Sequence, residues 1–260
     1  MQIMRKRGQV VIIMNKIAEL NTKIKDILKV EREPVGVKFI KKDDLSKLKN
    51  QYDSSTKMRY CQALMRAGKG EKIMITADNI ACPASAAAFG LKPLPEILSS
   101  GQMLYNMGLF ATPEAGKKAM AGMTRLAQGE YSAVILSPLE TMEVEPDVVV
   151  IESKPEHLMW LSLASIYETG ERIEFNSAIF QATCVDSTVI PFTSGKLNST
   201  LGCYGCREAT DVAEEENLIG IPYGDLSSIT NNLEKLSAKP MKRARAKEAF
   251  HSFSGCGESL

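Results

Sequence analysis

Histidine is nearly missing from this chain: His157 and His251 are the only two in 260 residues. A nucleophilic site of the Ser-His-Asp or Cys-His kind would have to use one of them, and a histidine-rich zinc or copper site cannot be built. No run approaches the roughly 20 apolar residues that a membrane-spanning helix needs, so a membrane is not an expected partner. Neither Gly-x-x-x-x-Gly-Lys nor Gly-x-Gly-x-x-Gly occurs, which removes both phosphate-cradling loops. Charge of one sign is lacking too. A formal net charge of +1 gives no field to gather nucleic acid or an anionic surface, so no nucleic-acid partner is expected.

The chain does have a core. With 44% hydrophobic and 24% charged residues it has the composition of an ordinary folded protein, long enough for one large or two small cores. Residues 1–16 form an N-terminal extension whose run Val10-Val11-Ile12-Ile13-Met14 is too short for a secretory signal, and Met14 is an alternative start. Residues 237–260 carry Lys239, Lys242, Arg243, Arg245 and Lys247 without an acidic residue between them, which predicts a basic, mobile, partly helical tail. Six cysteines without a signal for export imply reduced thiols in a cytoplasm.

Between those ends, helices and strands interleave. Ile17, Leu20, Ile24, Ile27 and Leu28 recur at helical spacing, and Val35, Val37 and Phe39 alternate behind Pro34 as a half-buried strand does. A helix over 59–67 carries Cys61, and 72–76 reads as a strand. Pro83 places Cys82 at the cap of a helix that Gly90 follows. Thr112-Pro113-Glu114 starts another helix, and Ser153-Lys154-Pro155-Glu156 is a capping-box pattern after apolar runs at 134–136 and 148–151. A strand at 218–221 and a helix through Leu226, Ile229, Leu233 and Leu236 close the pattern. Without a strict repeat, this order predicts an α+β (mixed α/β) fold over 17–236, as a single domain or two intimately packed subdomains.

The chemistry lies in the cysteines. Cys203 and Cys206, in Gly202-Cys203-Tyr204-Gly205-Cys206-Arg207, aim two thiolates at one point, and the flanking glycines let the backbone bend around it. Cys61, Cys82 and Cys184 are the other candidate ligands. Cys82, ahead of Pro83, faces the positive end of a helix. Arg59, Asp186 and Arg207 lie beside these cysteines and are candidates for a supporting role. Three chemistries fit in descending order: an iron–sulfur cluster such as 4Fe-4S, a structural zinc, and a Cys203/Cys206 thiol–disulfide pair. The last is disfavoured because such a pair opens a helix after a strand, which the glycines argue against. Taken singly, Cys61 and Cys184 read as small buried hydrophobes, and Cys256 as a free tail thiol.

The motifs Glu33-Pro34-Val35-Gly36-Val37-Lys38-Phe39, Cys61-Gln62-Ala63, Ala81-Cys82-Pro83, Phe110-Ala111-Thr112-Pro113-Glu114, Glu145-Pro146-Asp147-Val148-Val149-Val150 and the stretch 184–207 resemble domain of unknown function 169. That is an uncharacterised family of archaea and anaerobic bacteria. The resemblance runs from about Ile17 to Leu236; it implies an anaerobe's cytosolic domain and transfers no catalytic residue. The expected function is a cytosolic iron–sulfur protein for electron transfer or a redox reaction, with a redox partner protein or a small-molecule substrate. The alternative is a non-catalytic binding or assembly module held by zinc.

Overall fold

A computed structural model of the chain describes residues 2–48, 50–178 and 180–245, with side chains described between 11 and 242. The first helix, α1 (Gln2–Leu28), starts well before the point its apolar periodicity suggested and runs without a break through the expected extension. Ile17, Leu20, Ile24 and Leu28 form its buried stripe. Then come β1 (Val35–Ile40), α2 (Lys42–Leu48), α3 (Tyr60–Gly68), β2 (Ile73–Thr76) and α4 (Pro83–Ala88). Three short helices follow, α5 (Glu96–Ser99), α6 (Gln102–Asn106) and α7 (Pro113–Ala121), and then β3 (Ala133–Pro138), β4 (Val148–Ser153) and α8 (Pro155–Ser165). The last third holds a π-helix (Ala182–Val189), α9 (Ile190–Ser194), β5 (Asn198–Thr200), α10 (Tyr204–Ala209), β6 (Asn217–Pro222), α11 (Tyr223–Ala238) and α12 (Pro240–Arg245).

The six strands make one sheet in the order β2-β3-β1-β4-β6-β5. Every pairing is antiparallel; Val37 faces Leu136 on one side and Val148 on the other, and Val149 faces Ile221. Such a sheet is not doubly wound, and the fold is mixed α+β. β1 lies inside the sheet with layers on both faces. It is therefore buried on both sides except at Lys38, where alternation alone suggested a half-buried strand.

Alternation along the strands divides the core in two. Val35, Val37, Phe39, Val134, Leu136, Val148, Val150 and Leu218 point to one face, where they pack against α3, α4, Leu98, Leu104 and the π-helix residues Cys184, Val185 and Val189. Val149, Ile151, Ile219 and Ile221 point to the other, against α1, α8 and α11. A smaller cluster of Ile40, Met74, Ile135 and Met142 covers the β2 end of that second face. The first face carries the cysteines.

One local expectation changes. Ser153 is the last residue of β4, not the cap of α8; Lys154 caps that helix, and the Ser153 hydroxyl lies 2.6 Å from His157 Nδ1. The basic tail begins as structure: α12 is helical and Met241, 2% exposed, packs into the α1–α8–α11 core. Residues 246–260, with Cys256 and His251, lie outside the described residues.

Candidate functional site

Each of the five described cysteines is placed by a helix end or a helix distortion on the same face of the sheet. Cys61 sits in the first turn of α3, whose cap residue Arg59 donates its N–H to Gln62 Oε1 at 3.0 Å. Arg59 Nη1 donates to Gly205 O and Gln62 Nε2 to Ala209 O, each at 3.2 Å, so the start of α3 is tied to α10. Cys82 caps α4 ahead of Pro83, as the sequence suggested, but its side chain makes no capping hydrogen bond. With six residues, α4 is also a weak dipole.

Cys184 lies in the π-helix, an element the sequence did not announce. π-Turns break the one-bond-per-residue ladder and occur most often where a function requires the distortion. Two contacts fix this one. Tyr60 Oη is 3.0 Å from Thr188 Oγ1, both fully buried. Gly220 of β6 lets the π-helix come so close that a Cβ there would lie 2.0 Å from Ser187 O.

Cys203 caps α10, and the pair closes on itself: the Cys203 N–H donates to Cys206 Sγ at 3.0 Å and the Cys206 N–H to Cys203 Sγ at 3.4 Å. Gly202, at φ +84°, makes the entering bend, and a Cβ on it would stand 3.3 Å from Cys206 Sγ. This corrects the objection drawn from the glycines, since the pair does open a helix, shortly after β5.

All five thiols line one cavity of about 220 Å³. Arg59, Glu208, Ser85, Phe180, Gln181, Thr183, Leu98 and Leu104 are also in the wall, and half-exposed Met103, Met107 and Tyr204 stand on its apolar rim. Among the described residues, no group of three or more His, Cys, Asp or Glu side chains is placed to hold a metal ion. The thiols share a cavity without converging on one point.

Electrostatics in the bare cavity disfavour several anions at once. Burial pushes the Cys61 thiol up to about 12, with Cys203 and Cys82 adding to it and the Gln62 N–H and Arg59 opposing it. Cys184 is raised well above its ordinary value by burial and then by Cys82, against a hydrogen bond with the Ser85 hydroxyl. Cys203 is the exception. The Cys206 side chain, then the N–H groups of Ala182, Cys206 and Gln181, hold it below its ordinary value despite burial, and Cys206 is raised as its partner. One sulfur of the pair is thus prepared as a thiolate.

The three polar residues singled out beside the cysteines separate. Arg59 lines the cavity. Asp186 lies behind the wall, 1% exposed, accepting from Ser177 Oγ at 2.9 Å and Thr200 Oγ1 at 3.2 Å. Burial raises its carboxyl to about 6. Arg207 is not a cavity residue: its guanidinium donates to the carbonyls of Leu201, Ala213 and Glu216 and clamps the loop around α10. Sequence reasoning missed Gln181, Ser85 and the methionine rim. Only the three-residue distance of Gln181 from Cys184 pointed toward it.

The family model described as Uncharacterised ArCR, DUF169, matches residues 23–232, which include all five cavity cysteines. The chain is 26% identical over 224 residues, 85% of its own length and 95% of the other's, to a Methanocaldococcus jannaschii protein named Uncharacterized protein MJ0308. No solved structure matches it.

Proposed function

The chain belongs to the Uncharacterised ArCR family, and for it we propose a cytoplasmic redox protein whose cysteine cavity holds an iron–sulfur cluster, serving electron transfer or a redox reaction. One observation carries this: Cys61, Cys82, Cys184, Cys203 and Cys206, far apart in the chain, line a single cavity of about 220 Å³. All five are free thiols, which fits a reducing compartment. When bound, such a cluster supplies electron transfer at a potential set by its ligands, the hydrogen bonds to its sulfurs and its exposure.

A structural zinc has less support. It gathers four ligands around one point, with Zn–S near 2.3 Å, and the described residues offer no such group. A cluster of several irons does not need its thiolates to meet at one metal ion. The chain's part is to present those sulfurs and exclude water. The Cys61 and Cys184 thiols, held protonated by burial, give up their protons on loading, so loading weakens as pH falls. Five thiols exceed the usual four ligands; a partner protein or a small molecule would approach past Met103, Met107 and Tyr204.

A second reading rests on the reciprocal Cys203/Cys206 bonds and the depressed Cys203 thiol, which suit a thiol–disulfide pair. Reconstitution with iron and sulfide under anaerobic conditions separates the two. Cys203→Ser and Cys206→Ser should each abolish the visible absorption of the loaded protein, and Cys256→Ser should leave it intact. A wild-type protein that stays colourless and instead forms a Cys203–Cys206 disulfide on mild oxidation would favour the second reading.

A further inference from the structure

Gln181 carries two local costs that packing does not explain. Its backbone is left-handed, φ +64° and ψ +36°, a conformation it shares only with Lys29 among the described non-glycine residues. Lys29 follows the end of α1, where such a residue ends a helix in the ordinary way. Gln181 instead precedes the π-helix, where a left-handed non-glycine residue is strained. Its side chain is 6% exposed, yet Nε2 has no hydrogen-bond partner. A buried donor left unpaired keeps its full desolvation penalty. Asn21 Oδ1 and Tyr223 Oη are the other unpartnered buried polar atoms among the described residues, and neither residue lines the cysteine cavity, whereas Gln181 does.

Gln181 and Cys203 line the same cavity, and the N–H groups of Gln181 and Ala182 are among those that favour the Cys203 thiolate. Consecutive N–H groups in a turn of this sort form a concavity that accepts anions, phosphate and iron–sulfur sites included. We propose that Gln181 is a positioning residue that donates its carboxamide N–H to a sulfur of the group held by the cysteines. This rests on the cluster reading above and adds what sets its potential. Reduction adds negative charge to the sulfurs, so an N–H donor binds the reduced state more strongly and raises the reduction potential.

The test uses the full chain, bare and reconstituted, with Gln181→Met, which keeps the length and removes the donor, and Gln181→Glu, which keeps the shape. Bare Gln181→Met should be at least as resistant to urea as wild type, because the unpaired donor is gone. After reconstitution, redox titration should place its midpoint below the wild-type value, and Gln181→Glu lower still, with faster bleaching in air. A midpoint equal to wild type in both variants, with wild type loaded, overturns the role of Gln181 and leaves the cluster reading standing. Wild type that takes up no iron and sulfide overturns both. If Gln181→Met does not fold, the isosteric Gln181→Glu reads the same shift.

Discussion

Glu152, the next-to-last residue of β4, has an 8% exposed side chain 4.0 Å from the Arg32 guanidinium that also holds Glu216 and Asp211. Burial outweighs the pull of Arg32 and moves the Glu152 carboxyl from 4.5 to about 7. The folded state therefore binds a proton that the unfolded chain has already released between those values. Stability contributed by the protonated form is present at pH 5 and lost as pH rises through 7. A carboxyl raised in this way costs about 1.4 kcal/mol for every pH unit between its unfolded and folded values. On that scale Glu152→Gln should gain about 1–3 kcal/mol over wild type at pH 8 and little at pH 5. Urea unfolding at the two pH values measures this, and an equal difference at both would contradict it.

At the scale of elements, the π-helix decides the site, and it is held by a missing atom. A methyl at position 220 meets Ser187 O at 2.0 Å and Pro191 at 2.8 Å. Neither neighbour is a flexible side-chain tip, so the π-helix must move. Gly220→Ala should lower stability by about 1–3 kcal/mol, the usual cost of overpacking, and should reduce cluster uptake because Cys184 moves with its helix. Unchanged urea midpoint and uptake would count against that placement. The regular elements were legible in sequence for plain reasons: Ile17 to Leu28 repeat at helical spacing, and Val134–Leu136 and Val148–Ile151 are apolar runs of strand length. β5 was not, since Asn198-Ser199-Thr200 is three polar residues that pair only because β6 is beside them. The π-helix was not either. Its Thr183, Asp186, Ser187 and Thr188 are polar, and they are buried because Ser187 and Thr188 donate to the Thr183 carbonyl, Asp186 accepts from Ser177 and Thr200, and Thr183 stands beside Cys206. The five cysteines could be named from sequence. Their meeting could not, because it depends on α3, α4, α10 and the π-helix sharing one face of the sheet.

Across the whole molecule, the two faces divide the work. The face under α1, α8 and α11 is a continuous apolar core that carries no cysteine. The opposite face is apolar around a pocket of sulfur, and on it Phe39, Phe89, Tyr60, Tyr131 and Phe192 pack edge-on or tilted at centroid distances of 4.6 to 5.9 Å. Segments near 59–61, 81–85, 98–109, 180–184 and 203–208 line the cavity, and the thiols come from four of them, so anything that binds all the thiols staples distant parts of the chain together. Among the described residues no helix is long and apolar enough to cross a membrane. The most direct measurement is iron, acid-labile sulfide and zinc analysis of the full chain purified without oxygen, read with its absorption spectrum. The account predicts a brown protein with iron and sulfide in comparable amounts and little zinc. A colourless protein free of iron and sulfide, before and after anaerobic reconstitution, would contradict it.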